Sequence, residues 1–106
     1  YTAQYQDGYK VKVKNGERIF YIDLSGRSGE YLDVLYYDGK LIRPVAADVS
    51  AVNTAAPVYI RSGTFDLSVM RRITGLYNAD LLGYVQEFYK YENGEFTVYF
   101  SAVCVV

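Results

Sequence analysis

From Tyr9 to Lys14 the chain reads Tyr-Lys-Val-Lys-Val-Lys, apolar and polar residues in strict alternation. A period of two belongs to a strand with one buried and one solvated face. Similar alternating runs flank three dipeptides, Asn15-Gly16, Asp38-Gly39 and Asn93-Gly94. These residues tolerate the positive φ that a tight type I′ reversal needs at both central positions, so each predicts a β-hairpin. Ser62-Gly63 supplies a fourth reversal.

Counting outward from each turn predicts the pairing. The first hairpin sets Val11 against Phe20 and Tyr9 against Ile22, with Lys10, Lys12 and Lys14 on the outer face. The second sets Tyr36 against Leu41, and Leu35 against Ile42. The third opposes Ile60 to Phe65 and Val58 to Leu67. The fourth opposes Tyr91 to Phe96 and Tyr89 to Val98, with Phe100, Ala102 and Cys104 continuing that apolar face. The fold class that follows is all-β, an antiparallel sandwich or small barrel of about four hairpins. At most one short helix is expected, within Arg71–Gly83, where Asn78 is a cap and Gly83 a stop. Phe65–Ile73 carries both strand and helix spacing, and the strand is preferred over Thr64–Val69. Ser25–Glu30 is Gly/Ser-rich and is expected as an exposed loop. Ala46–Ala56 is weakly patterned, with room for a short strand.

The length, 106 residues, suits one domain spanning 1–106, and about half of it is apolar. The chain opens at Tyr1, which reads as a piece of a longer or processed chain. A net charge of −1 gives no broad attraction for nucleic acid, and the apolar runs are too short for membrane insertion. The lysine row of Lys10, Lys12 and Lys14 reads as a guard on a sheet edge, whereas the last strand has no guard after Phe96.

Composition also limits the chemistry. The chain holds no histidine and one cysteine. A Ser-His-Asp triad and a Cys-His pair are therefore excluded, and so are zinc sites of the usual ligand set. The aspartates are scattered without calcium-loop spacing, and no phosphate-binding glycine motif occurs. No catalytic, cofactor-binding or metal-binding residue is assigned, and the expectation is a non-enzyme. Glu87 is the one acid of interest, since parity places it on the apolar face opposite Phe100. Its ordinary role would be reaching solvent near the end of the strand, or pairing with an arginine such as Arg43. Cys104 reads as a small core residue.

What remains is tyrosine, thirteen copies with no tryptophan. Tyr89, Tyr91, Phe96, Val98 and Phe100 form the more continuous apolar set and are expected in the core. Tyr84, Phe88, Lys90, Thr97 and Tyr99 form a mixed aromatic and polar face, the composition of a wet interface. Arg27, Ser28 and Glu30 are candidate loop contacts. The expected function is thus a non-catalytic binding or assembly module that engages a protein or glycan and self-associates. By analogy it suits the receptor-binding tip of a viral or phage fibre, or a domain of a bacterial surface protein. An extracellular, cell-surface or virion setting is then favoured over the cytoplasm. The alternatives are a carbohydrate-binding or carboxylate-based carbohydrate-active domain, and a small protein inhibitor or adaptor.

Overall fold

Hairpin pairing dominates the computed structural model, which describes residues 1–52, 54–61 and 64–105, with backbone alone at 59–61, 64 and 65. The strands are β1 (Thr2–Gln6), β2 (Lys10–Asn15), β3 (Arg18–Asp23), β4 (Tyr36–Tyr37), β5 (Lys40–Leu41), β6 (Ala46–Val49), β7 (Thr54–Arg61), β8 (Thr64–Thr74), β9 (Leu81–Glu92) and β10 (Glu95–Val105). One helix, α1 (Gly29–Leu35), precedes β4. The main sheet runs β10-β9-β8-β6-β1-β2-β3, antiparallel throughout, with β7 also on β8; β4 and β5 form a separate ribbon. The sheet curls until its end strands meet, Arg18 of β3 donating to Ser101 Oγ of β10 at 2.6 Å. The result is a nearly closed barrel rather than a sandwich.

Turn chemistry explains the registers. Asp38 and Gly39 have φ of 50° and 79°, and Asn93 and Gly94 have φ of 52° and 84°, the paired positive values of a type I′ turn. Tyr36 faces Leu41, and Phe96 faces Tyr91, as the alternation predicts. The first hairpin differs. Asn15 pairs with Arg18, so Gly16 and Glu17 make the turn and Gly16 alone takes positive φ, at 61°. Val11 therefore meets Ile22, and Phe20 meets Val13. A two-residue slip keeps every side chain on its expected face. Val58 pairs with Asp66 and not Leu67, which meets Pro57, because β7 is irregular between Val58 and Arg61. The proposed Ser62-Gly63 turn lies outside the described residues.

The helix begins within the expected loop, at Gly29 and Glu30, and takes in Leu35, which was expected on a strand opposite Ile42. Ser28 caps it, its Oγ accepting from the Tyr31 amide at 3.2 Å, with Glu30 in the first turn. Tyr31, Leu32 and Leu35 then face the core, one stripe of an amphipathic turn. Arg71–Gly83 is not helical: it holds the end of β8, a turn, and the start of β9. Strand geometry continues through Phe65–Ile73 and on to Thr74.

Inside the barrel sit Ala3, Tyr5, Val11, Val13, Ile22, Leu24, Leu35, Tyr36, Ile73, Leu82 and Val85. Beside them is a buried polar chain. Tyr31 Oη donates to Asp80 Oδ2 at 2.7 Å, so the Tyr5 hydroxyl, 2.6 Å from that of Tyr31, donates to it in turn. Arg27 pairs with Asp80 Oδ1 at 3.3 Å and donates to the Leu81 carbonyl. Burial raises the Tyr5 and Tyr31 phenols above their ordinary value, and Asp80 raises Tyr31 further. The network ties α1 and the β8–β9 turn to the barrel wall. Gly75 makes it fit, because a Cβ there would overlap the Tyr5 hydroxyl and the Asp80 carboxylate.

The strands β6, β1, β2 and β3 have four to six residues, whereas at the other end of the sheet β8 has 11, β9 has 12 and β10 has 11. At about 3.3 Å per residue, β9 alone spans roughly 40 Å. The excess leaves the barrel as an arm, giving principal extents of 54 × 25 × 19 Å. The radius of gyration is 16.3 Å, against about 13 Å for a compact chain of this length.

Candidate functional site

The arm consists of the outer parts of β7, β8, β9 and β10, closed at its tip by Asn93-Gly94. No described second layer packs on its outer part, and residues 91–100 are all exposed. Five large apolar side chains there, Tyr91, Phe96, Val98, Tyr99 and Phe100, are between 45% and 57% exposed. This overturns the expectation of a core for Tyr91, Phe96, Val98 and Phe100; Tyr89 is half-buried. The alternation sorts Tyr89, Tyr91, Phe96 and Val98 onto one face correctly, but no described layer buries that face.

A bulge divides the two faces. Val98 pairs with Tyr89, and Phe100 pairs with Phe88, leaving Tyr99 as the extra residue. On one face lie Tyr89, Tyr91, Phe96 and Val98, the rings of Tyr91 and Phe96 meeting edge-on at 5.1 Å. Beyond the bulge the parity inverts, so Phe100 joins Phe88 on the other face. There Val58, Phe88, Tyr99 and Phe100 line an apolar hollow of about 410 Å³. The Phe88 ring is 5.6 Å from Phe100 and 6.4 Å from Tyr99. Tyr99 reaches across β9 to donate to Asp66 Oδ2 at 2.6 Å, which fixes one wall of the hollow.

The same inversion relocates two other residues. Ser101, not Phe100, faces Glu87, and both are buried. Cys104 falls opposite Tyr84 and is exposed rather than in the core. Glu87 neither reaches solvent nor meets Arg43. Its Oε1 accepts from Arg71 Nε at 3.0 Å and its Oε2 from the Tyr1 hydroxyl at 3.0 Å. The bond to Glu87 raises the Arg71 pKa, while burial chiefly, with Glu87 adding, raises that of Tyr1. This cluster rivets the base of the arm to the barrel and occupies both oxygens of the only candidate acid.

The candidate interface residues divide accordingly. Phe88 and Tyr99 stand together in the hollow. Lys90 and Thr97 are register partners on the same face, Lys90 also bridging to Glu92 at 3.2 Å. That exposed ion pair contributes little to stability. Tyr84 lies further down the strand, half-buried between Arg72 and Cys104, away from the hollow. Phe100 and Val58 belong to the site and were assigned to other roles or none, because a bulge leaves no mark in a hydropathy pattern. Among the loop candidates, Arg27 is committed to Asp80 and Ser28 to its cap, while Glu30 is exposed.

The lysine row does not guard an edge. It sits on β2, which is paired on both sides, and Lys10 lies 4.9 Å from the Tyr21 ring centre. Among the described residues, no three acids or cysteines cluster closely enough to hold a metal ion.

Comparison with known proteins places this geometry in a lineage. The family described as the YybI C-terminal domain matches residues 1–104. The chain is 35% identical over 100 residues to the "Uncharacterized protein YybI" of Bacillus subtilis (strain 168), covering 91% of this chain and 38% of that protein. It thus spans well under half of that relative's length. No solved structure matches.

Proposed function

The chain belongs to the YybI C-terminal domain family, and we propose that this member is a non-catalytic module that binds through its arm. One observation carries the reading: five large apolar residues over ten positions of the arm stand about half exposed on an unlayered sheet. Scattered exposed apolar residues are ordinary, but a contiguous aromatic patch rimmed by polar residues is the composition of a contact surface. Tyrosine and phenylalanine supply large contact area with few rotors, and the barrel, α1 and the Glu87 rivet hold the arm's base. A bacterial relative favours a bacterial surface or assembly domain over a fibre tip. The carbohydrate-hydrolysing alternative draws no support from Glu87, whose oxygens are both engaged internally.

Site-specific photo-crosslinking within the full-length protein, in its own cells, tests the reading. Crosslinkers at Phe96 and Phe100 should each trap one discrete species, and a crosslinker at Tyr21 on the barrel should trap none. Equal trapping from barrel and arm, or no trapping from the arm, would overturn it.

A further inference from the structure

We infer that the arm's partner is a second copy of this chain, joined edge to edge through β10; this rests on the arm being the contact surface. Over Glu95–Phe100, β10 pairs with β9 on one side and with no described strand on the other. From Ser101 onward the barrel closes against Arg18. Over Glu95–Val98 alternate residues therefore turn their backbone donors and acceptors away from β9 toward no described strand, a template for strand addition.

The two edges of the arm differ. On β7, Pro57 sits mid-strand and removes a donor, which blunts that side. On β10 there is no proline, and Glu95 is its one charged residue. An antiparallel pairing of a strand with its own copy is two-fold symmetric, so it closes as a dimer and does not propagate. The alternation of faces permits it with Thr97 on the axis. Phe96 then lies beside Val98 of the second copy on one face, twice over. Glu95 lies beside Tyr99 on the other. The area available agrees with a modest interface. Half-exposed aromatics retain about 100 Å² each, so the four rings offer roughly 400 Å² per copy before Val98, backbone and rim are added, toward the about 800 Å² of a standard interface. A concentration-dependent dimer follows, and not an obligate one.

Sedimentation equilibrium over a wide concentration range gives the first test, with monomer passing to dimer expected. Phe96→Lys and Val98→Lys should each return the chain to monomer while circular dichroism holds its β signature. The second test needs no disruptive change. In a Cys104→Ser background, Thr97→Cys should oxidise to a disulfide-linked dimer much faster than Glu17→Cys at the barrel hairpin. A chain that stays monomeric at the highest concentration, or a dimer in which position 97 crosslinks no faster than position 17, would overturn the inference. Arm crosslinks to a different protein from a monomeric chain would overturn the second copy and leave the arm as contact surface standing. A silent arm would remove both.

Discussion

Tyr99 on β10 donates its hydroxyl to Asp66 on β8 at 2.6 Å, passing over the intervening strand β9. Alternation places Tyr99 on the face of Thr97, Lys90 and Asp66, and the bulge that follows it sends Phe100 to that same face. The bond ties the arm's edge strand to its inner strand and orients the ring that walls the hollow.

Removing that hydroxyl tests the bond. Tyr99→Phe leaves the ring but takes a donor from Asp66, which is only 8% exposed. A loss of about 1–2 kcal/mol in unfolding free energy is expected by urea titration. No change would mean that Asp66 does not depend on the bond.

The Tyr5–Tyr31–Asp80 network should be intolerant at Gly75. A Cβ there overlaps two of the polar groups and lies 3.0 Å from the third, the Tyr31 hydroxyl. Gly75→Ala is expected to cost about 2–4 kcal/mol, through overpacking and a broken buried hydrogen-bond chain. Gly26→Ala, where a Cβ meets nothing within 4 Å, serves as the control and should change little. Equal effects at the two positions would contradict the network's placement.

Alkaline pH should destabilise the fold more than a surface-tyrosine protein. Tyr1, Tyr5, Tyr31 and Tyr36 all have phenols raised above 10.0, each chiefly by burial. The unfolded chain releases these protons near pH 10 while the folded chain holds them, so the folded state binds more protons and stability falls as pH rises. The stabilisation is fully present below pH 10 and declines above it, at up to about 1.4 kcal/mol per pH unit for each tyrosine. Unfolding free energies between pH 8 and 11 measure this, and Tyr31→Phe should flatten the decline.

The sequence shows much of this fold because tight turns and one-in-two alternation are local. Asp38-Gly39 and Asn93-Gly94 form the turns expected, and the sides of β2, β3 and of β10 up to Tyr99 are correct, whereas Val58 lies on the opposite face from Leu67. Thr2–Gln6 is equally legible, its Ala3 and Tyr5 alternating with Gln4 and Gln6. Helix α1 was obscured by its brevity and by the small polar residues before it. Only the spacing of Tyr31, Leu32 and Leu35 behind Ser28 signals it. The bulge had no signature at all, and it moved Phe100, Ser101 and Cys104 to opposite faces. Most consequentially, alternation says which residues share a face but not whether another layer covers it. Tyr91, Phe96 and Val98 therefore read as core while standing on an open arm.

The most direct measurement is the unfolding free energy of Phe96→Thr, taken at a dilution where the parent sediments as a single chain. If the arm's rings lie outside the core, the change costs about 1 kcal/mol or less, threonine keeping the strand propensity. A loss of about 3–5 kcal/mol, as for a buried aromatic, would place Phe96 in the core and contradict the arm as a contact surface.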